Sequence, residues 1–146
     1  MVALITEGEK TIHGENIGSL DEFMLDLCER MDRFYQMVMG EQSRQQKFYI
    51  SGFFNGFANR LNRMRNKIDA ELFLPVYRGN LKFEGEETFH GEVIRNPEDF
   101  IDDFCVRLEV MTSTAMEEKN EMARLAYLIT SLIGLRGILN RVCGRV

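Results

Sequence analysis

Apolar residues recur every three or four positions in four separate stretches of the chain, and the four fall into two matching pairs. Leu20, Phe23, Met24, Leu27, Met31, Phe34 and Val38 predict a first helix, as do Phe100, Ile101, Phe104, Leu108, Met111 and Ala115 in the second half. Each has a start signal. Ser19-Leu-Asp-Glu has the form of a capping box, and Asn96-Pro-Glu-Asp places a cap before proline and two acids, while Gly40 supplies a stop for the first copy.

The second stripe runs through Ile50, Phe53, Phe54, Phe57, Leu61, Met64 and Ile68. Its counterpart runs through Leu125, Leu128, Ile129, Leu132, Ile133, Leu135, Ile138, Leu139 and Val142, and spreads much further around the helix axis. That last helix is expected to lie centrally or to cover an interface. Gly52 and Gly56, four residues apart, with Gly134 matching Gly56, are expected to let helices cross closely.

Ahead of each helix pair the spacing changes. The segments EGEKTIHGENI and EGEETFHGEVI, beginning at Glu7 and Glu84, read as hairpins turning at Glu-Gly-Glu. A three-residue loop there places Leu81, Phe83, Phe89 and Val93 on one face, with Thr88, His90 and Glu92 on the other, as Thr11, His13 and Glu15 are in the first copy. Leu-Phe-Leu-Pro-Val-Tyr, residues 72–77, is read as a further strand, with Pro75 favouring a sheet edge.

The similarity of the halves is a duplication. With an offset of 77, residues 4–30 match residues 81–107 at thirteen of twenty-seven positions, including Glu9/Glu86, His13/His90, Asp26/Asp103, Cys28/Cys105 and Arg30/Arg107. Average composition predicts fewer than about two such identities. At an offset of 78 the match continues through Gly56/Gly134 and Leu61-Asn62-Arg63 against Leu139-Asn140-Arg141. The expected fold is therefore α+β and dominated by helices, a tandem duplication of a ββαα unit with pseudo-twofold symmetry. It forms one compact domain over residues 1–146, with repeats at about 3–67 and 80–145 joined by 68–79.

Composition narrows the class without naming an activity. A chain of 146 residues with 45% hydrophobic and 28% charged positions can bury a single sizeable core. The net charge of -5 gives no general attraction to nucleic acid or anionic lipid, and the first residues lack the form of a signal peptide. A cytoplasmic location without membrane contact is expected. Cys28, Cys105 and Cys143 are read as reduced thiols, the first two as small buried apolar groups.

Charge is divided between helices. Residues 43–68 carry six bases and no acid, whereas residues 19–39 carry five acids and two bases. Such helices complement one another in a packed pair. Alternatively the stretch NRLNRMRNK presents Arg60, Arg63, Arg65 and Lys67 as a binding surface able to grip phosphates. In the second copy Arg141 and Arg145 are kept but Ile138 stands opposite Arg60, which argues against a symmetric groove.

The two histidines are each followed two residues later by glutamate. Meeting at a twofold axis, His13, Glu15, His90 and Glu92 would make a ligand set suited to a divalent metal, and no other cofactor is expected. Separate solvated faces account for the same residues without metal. Asp26 and Asp103 read as ordinary acids on exposed helix faces. Phosphate-binding loops, nucleophile elbows, HExxH helices and paired CxxC motifs do not occur. The leading expectation is a non-enzymatic regulator, adaptor or inhibitor that works through a protein partner, with homodimerisation as a further possibility. A metal-dependent enzyme or sensor using the His-x-Glu pairs, and a nucleic-acid binder using residues 59–67, are the alternatives.

Overall fold

The computed structural model describes residues 6–40, 43–70 and 77–144, with side chains in the second helix described from residue 50 onward, residue 51 excepted. Four helices follow in order: α1 Leu20–Gly40, α2 Ser43–Ala70, α3 Pro97–Glu117 and α4 Glu121–Val142. Among the described residues there is no β-strand, so the fold is all-α, not α+β, and the repeating unit is a loop followed by two helices. The proposed strand over residues 72–77 falls outside the described residues except for Tyr77.

The helices start where the local chemistry directs. The Ser19 hydroxyl accepts from the Glu22 N–H at 3.1 Å, and the Glu22 carboxylate accepts in return from the Gly18 N–H at 2.7 Å. The Asn96 side chain accepts from the Asp99 N–H at 2.8 Å, ahead of Pro97 at the first helical position. Asn120 caps α4 in the same way, accepting from the Ala123 N–H at 3.1 Å.

What was read as a hairpin is a hooked loop. A first turn closes from Thr6 to Glu9 with Gly8 at φ +85°, and a second closes from Thr11 to Gly14 with Gly14 at φ +82°. Residues 83–94 repeat both turns at Gly85 and Gly91. The chain therefore reverses at His-Gly, not at Glu-Gly-Glu alone, and two turns so close together leave only the isolated bridges Lys10 to Asn16 and Glu87 to Val93. The expected apolar face divides accordingly. Phe83 is buried, but Phe89 and Val93 are exposed.

The units interlock. α1 packs chiefly on α4 and α2 chiefly on α3, so exchanging the units turns one pairing into the other. Phe23, Leu27, Met31, Leu61, Phe100, Phe104, Leu132 and Leu139 lie in one continuous core. Each such side chain contributes about 1.5–3 kcal/mol when fully buried. Polar contacts cross between units as well: Cys28 Sγ donates to the Leu139 carbonyl at 3.2 Å, and Arg136 Nε donates to Asp32 at 2.7 Å. None of the three cysteines is in a disulfide; Cys28 and Cys105 are buried, and burial pushes the Cys105 thiol up to about 11. The glycines expected at a tight crossing are not there for that purpose, since a Cβ added at Gly52, Gly56 or Gly134 would meet nothing within 4 Å.

Candidate functional site

Two buried carboxylates in each unit fasten the leading loop to its helices. Asp26, on α1, accepts from the Ile12 N–H at 2.8 Å and pairs with Arg30 at 2.7 Å, while Arg30 Nη2 reaches the Lys10 carbonyl at 3.2 Å. Asp103, on α3, accepts from the Phe89 N–H at 2.7 Å and pairs with Arg107 at 2.8 Å, and Arg107 reaches the Glu87 carbonyl at 3.0 Å. Loop N–H and C=O groups that a sheet would have paired are thus satisfied by helix side chains. Asp26 and Asp103 are 4% and 6% exposed, which removes them from the exposed helix faces expected of them.

The second carboxylate, Glu9 or Glu86, lies inside the first turn. Arg141 forks onto Glu86 with two contacts of 3.0 Å, and this bond raises the Arg141 guanidinium above its ordinary value. Arg63 approaches Glu9 in the same fashion at 3.4 and 3.2 Å, and Lys67 adds a contact of 3.3 Å. Burial alone would raise Glu9, but the hydrogen bonds from Arg63 and Lys67 outweigh it and hold the carboxyl below its usual range.

The same anchors engage the basic stretch of α2. Arg60 donates to the Lys10 carbonyl and, at 3.1 Å, to Asp26; Lys67 also donates to the Glu7 carbonyl at 3.0 Å. Arg65 turns the other way, toward Glu109 and Asp102 of α3 at 3.4 and 3.8 Å. The four cations read as one surface are thus divided between the leading loop and a neighbouring helix. Complementary helix charges account for Arg65, while the loop itself engages the other three.

The His-x-Glu pairs are not gathered together. His13 Nε2 pairs with Glu29 at 2.8 Å, and His90 lies edge-on to Phe89 with ring centroids 5.4 Å apart. Glu15 and Glu92 contribute backbone N–H groups that donate to the Thr11 and Thr88 hydroxyls. Among the described residues no group of three or more His, Cys, Asp or Glu side chains is placed to hold a metal ion.

One feature distinguishes the first unit. A cavity of about 400 Å3 opens between α1 and α2, walled by Phe34, Phe53 and Phe57 and edged by Arg30, Arg33, Arg60 and Arg63. Phe34 and Phe53 stack face to face, with centroids 3.8 Å apart and planes within 3°. Arg33 and Arg63 are more than half exposed, whereas Arg60 is 12% exposed. Burial, and then the positive charge of Arg30, press the Arg60 guanidinium below its ordinary value against the pull of Asp26 and Glu9. At the matching places the second unit has Val110 for Arg33, Ile138 for Arg60 and Ser131 for Phe53. Those disagreements between otherwise matching halves are the signal by which the sequence could have located the groove.

The outer side of α4 is the second candidate. Leu125, Leu132, Leu135 and Leu139 are buried, but Met122 is 66% and Ile133 46% exposed. By length and composition α4 could cross a membrane, yet its inward leucines belong to the shared core and its Arg136 pairs with Asp32. Comparisons with protein-family models, with characterised proteins and with solved structures find no match.

Proposed function

We propose that the chain is a non-enzymatic interaction protein, a regulator, adaptor or inhibitor, that receives a protein partner on the outer face of α4. What carries the reading is the uncovered apolar stripe through Met122, Ala126 and Ile133 on a helix whose opposite side is fully engaged in the core. The twin helix supports it by contrast. Asn55 of α2 occupies the position of Ile133, so this exposed place is polar in one copy and apolar in the other. Core packing cannot require Ile133 to be apolar, because nearly half of its surface remains open.

A photo-crosslinking residue at position 133, compared with one at position 55, tests this in the native cell. A protein captured at 133 and absent at 55 should then bind the purified chain, and Met122→Glu should weaken that binding by about tenfold or more, the effect of losing a central apolar contact. Equal capture at both positions, or full binding by Met122→Glu, would overturn the reading.

A further inference from the structure

We infer that the groove between α1 and α2 binds a small organic anion, a carboxylate or phosphate head carried on a flat apolar body. This site is separate from the α4 face and does not depend on it. The head has cations to meet: Arg30, Arg33, Arg60, Arg63 and Lys67 share the three carboxylates of Glu9, Asp26 and Glu29. Among the described residues of the second unit Arg107 and Arg141 answer Asp103 and Glu86 one for one, and Val110 and Ile138 stand where Arg33 and Arg60 do, so fastening the loop does not call for those two. Arg30 and Arg60 are directed to Asp26. Arg33 and Arg63 are the more exposed pair, and a guanidinium suits either kind of head because its planar fork matches the oxygens of both.

The body has a surface to lie on. Phe53, stacked on Phe34 and flanked by Phe57 at 5.3 Å between centroids, gives the cavity an aromatic wall, which favours offset stacking by another flat ring. The volume of about 400 Å3 is at the small end for ligand sites and suits a compact molecule. Gly52 and Gly56 border the same space. A helical glycine is unfavourable relative to alanine, and Gly52 has no neighbour that a Cβ would strike, so packing within the chain does not explain it. Thr130 stands at the position of Gly52 in the second unit, where Val110 and Ile138 also replace Arg33 and Arg60.

The probes are 1-naphthoate and 1-naphthyl phosphate, with 1-naphthalenemethanol as the uncharged analogue, measured by calorimetry and ligand-observed NMR on the full chain. Both anions, or the one whose head the site prefers, should bind at least about tenfold more tightly than the alcohol, and more weakly as salt rises. Arg33→Leu should remove most of that advantage while leaving the alcohol unaffected. Gly52→Leu should fill the groove and abolish binding without lowering the thermal midpoint, and Thr130→Leu should leave binding intact. Absence of binding by either anion at millimolar concentration, equal binding of anion and alcohol, retention of binding by Gly52→Leu, or equal loss in Thr130→Leu would each overturn the assignment. Thermal melts of both leucine variants separate a blocked groove from a damaged fold.

Discussion

The first and second units fasten their leading loops with the same carboxylates and differ in how many cations answer them. Among the described residues of the second unit each acid has one arginine. In the first, Asp26 holds Arg30 and Arg60, and Glu9 holds Arg60, Arg63 and Lys67. The pairs present in both copies are the ones the architecture needs, because they satisfy loop backbone groups that no sheet pairs. What only one copy has, Arg33, Arg60 and the phenylalanine wall, requires a reason outside the architecture.

Removing the shared acids tests that contrast most severely. Asp26→Ala strands two arginines and an amide, and should cost roughly 3–5 kcal/mol, the range for breaking a buried charge pair. Asp103→Ala strands one arginine and an amide and should cost about 2–3 kcal/mol. Urea titration of both variants measures the difference, and equal losses would break the comparison. Arg60→Ile, which gives the first unit the residue of the second, should cost about 1–2 kcal/mol, since Arg30 and Arg63 still occupy the acids.

Acid supplies a gentler probe. Because the Glu9 carboxyl is held below its unfolded value, its contribution is fully present above the ordinary carboxylate range and is lost as pH falls through the lowered value. Stability should decline from this group as pH falls through the acidic range, and Glu9→Gln should flatten that part of the profile. The smallest expected effect is a gain. Gly56→Ala and Gly134→Ala should each stabilise by about 0.5–1 kcal/mol, equally in the two units, because neither Cβ meets a neighbour. Thermal melts would show a difference if one glycine served the packing.

The helices were legible because their signals are local. Apolar residues at three and four, a serine or asparagine cap and a proline at the first turn act within a few positions. The hooked loops are not legible in the same way, because Thr-x-His-x-Glu has the alternation of a strand while the glycine after each histidine makes a second turn that alternation does not mark. The pairing of Glu9 and Asp26 with the basic helix joins residues up to 58 positions apart, a separation that periodicity cannot detect. The repeat held that information nonetheless. Glu9/Glu86, Asp26/Asp103, Arg30/Arg107 and Arg63/Arg141 are all identities, and acids and bases that recur together at fixed separations are candidates for mutual contact. The groove leaves the opposite mark, since it lies where the halves differ and not where they match.

The interlocking of α1 with α4 and of α2 with α3 bears on how the chain could be divided. Neither half encloses its own interior, so a break between Ala70 and Tyr77 would turn an intramolecular core into a meeting of two fragments. Each fragment alone should lack a cooperative melt, and their mixture should regain one whose midpoint rises with protein concentration. The peptide link between the copies acts as a tether that keeps two mutually dependent pieces at high local concentration, making their assembly independent of dilution.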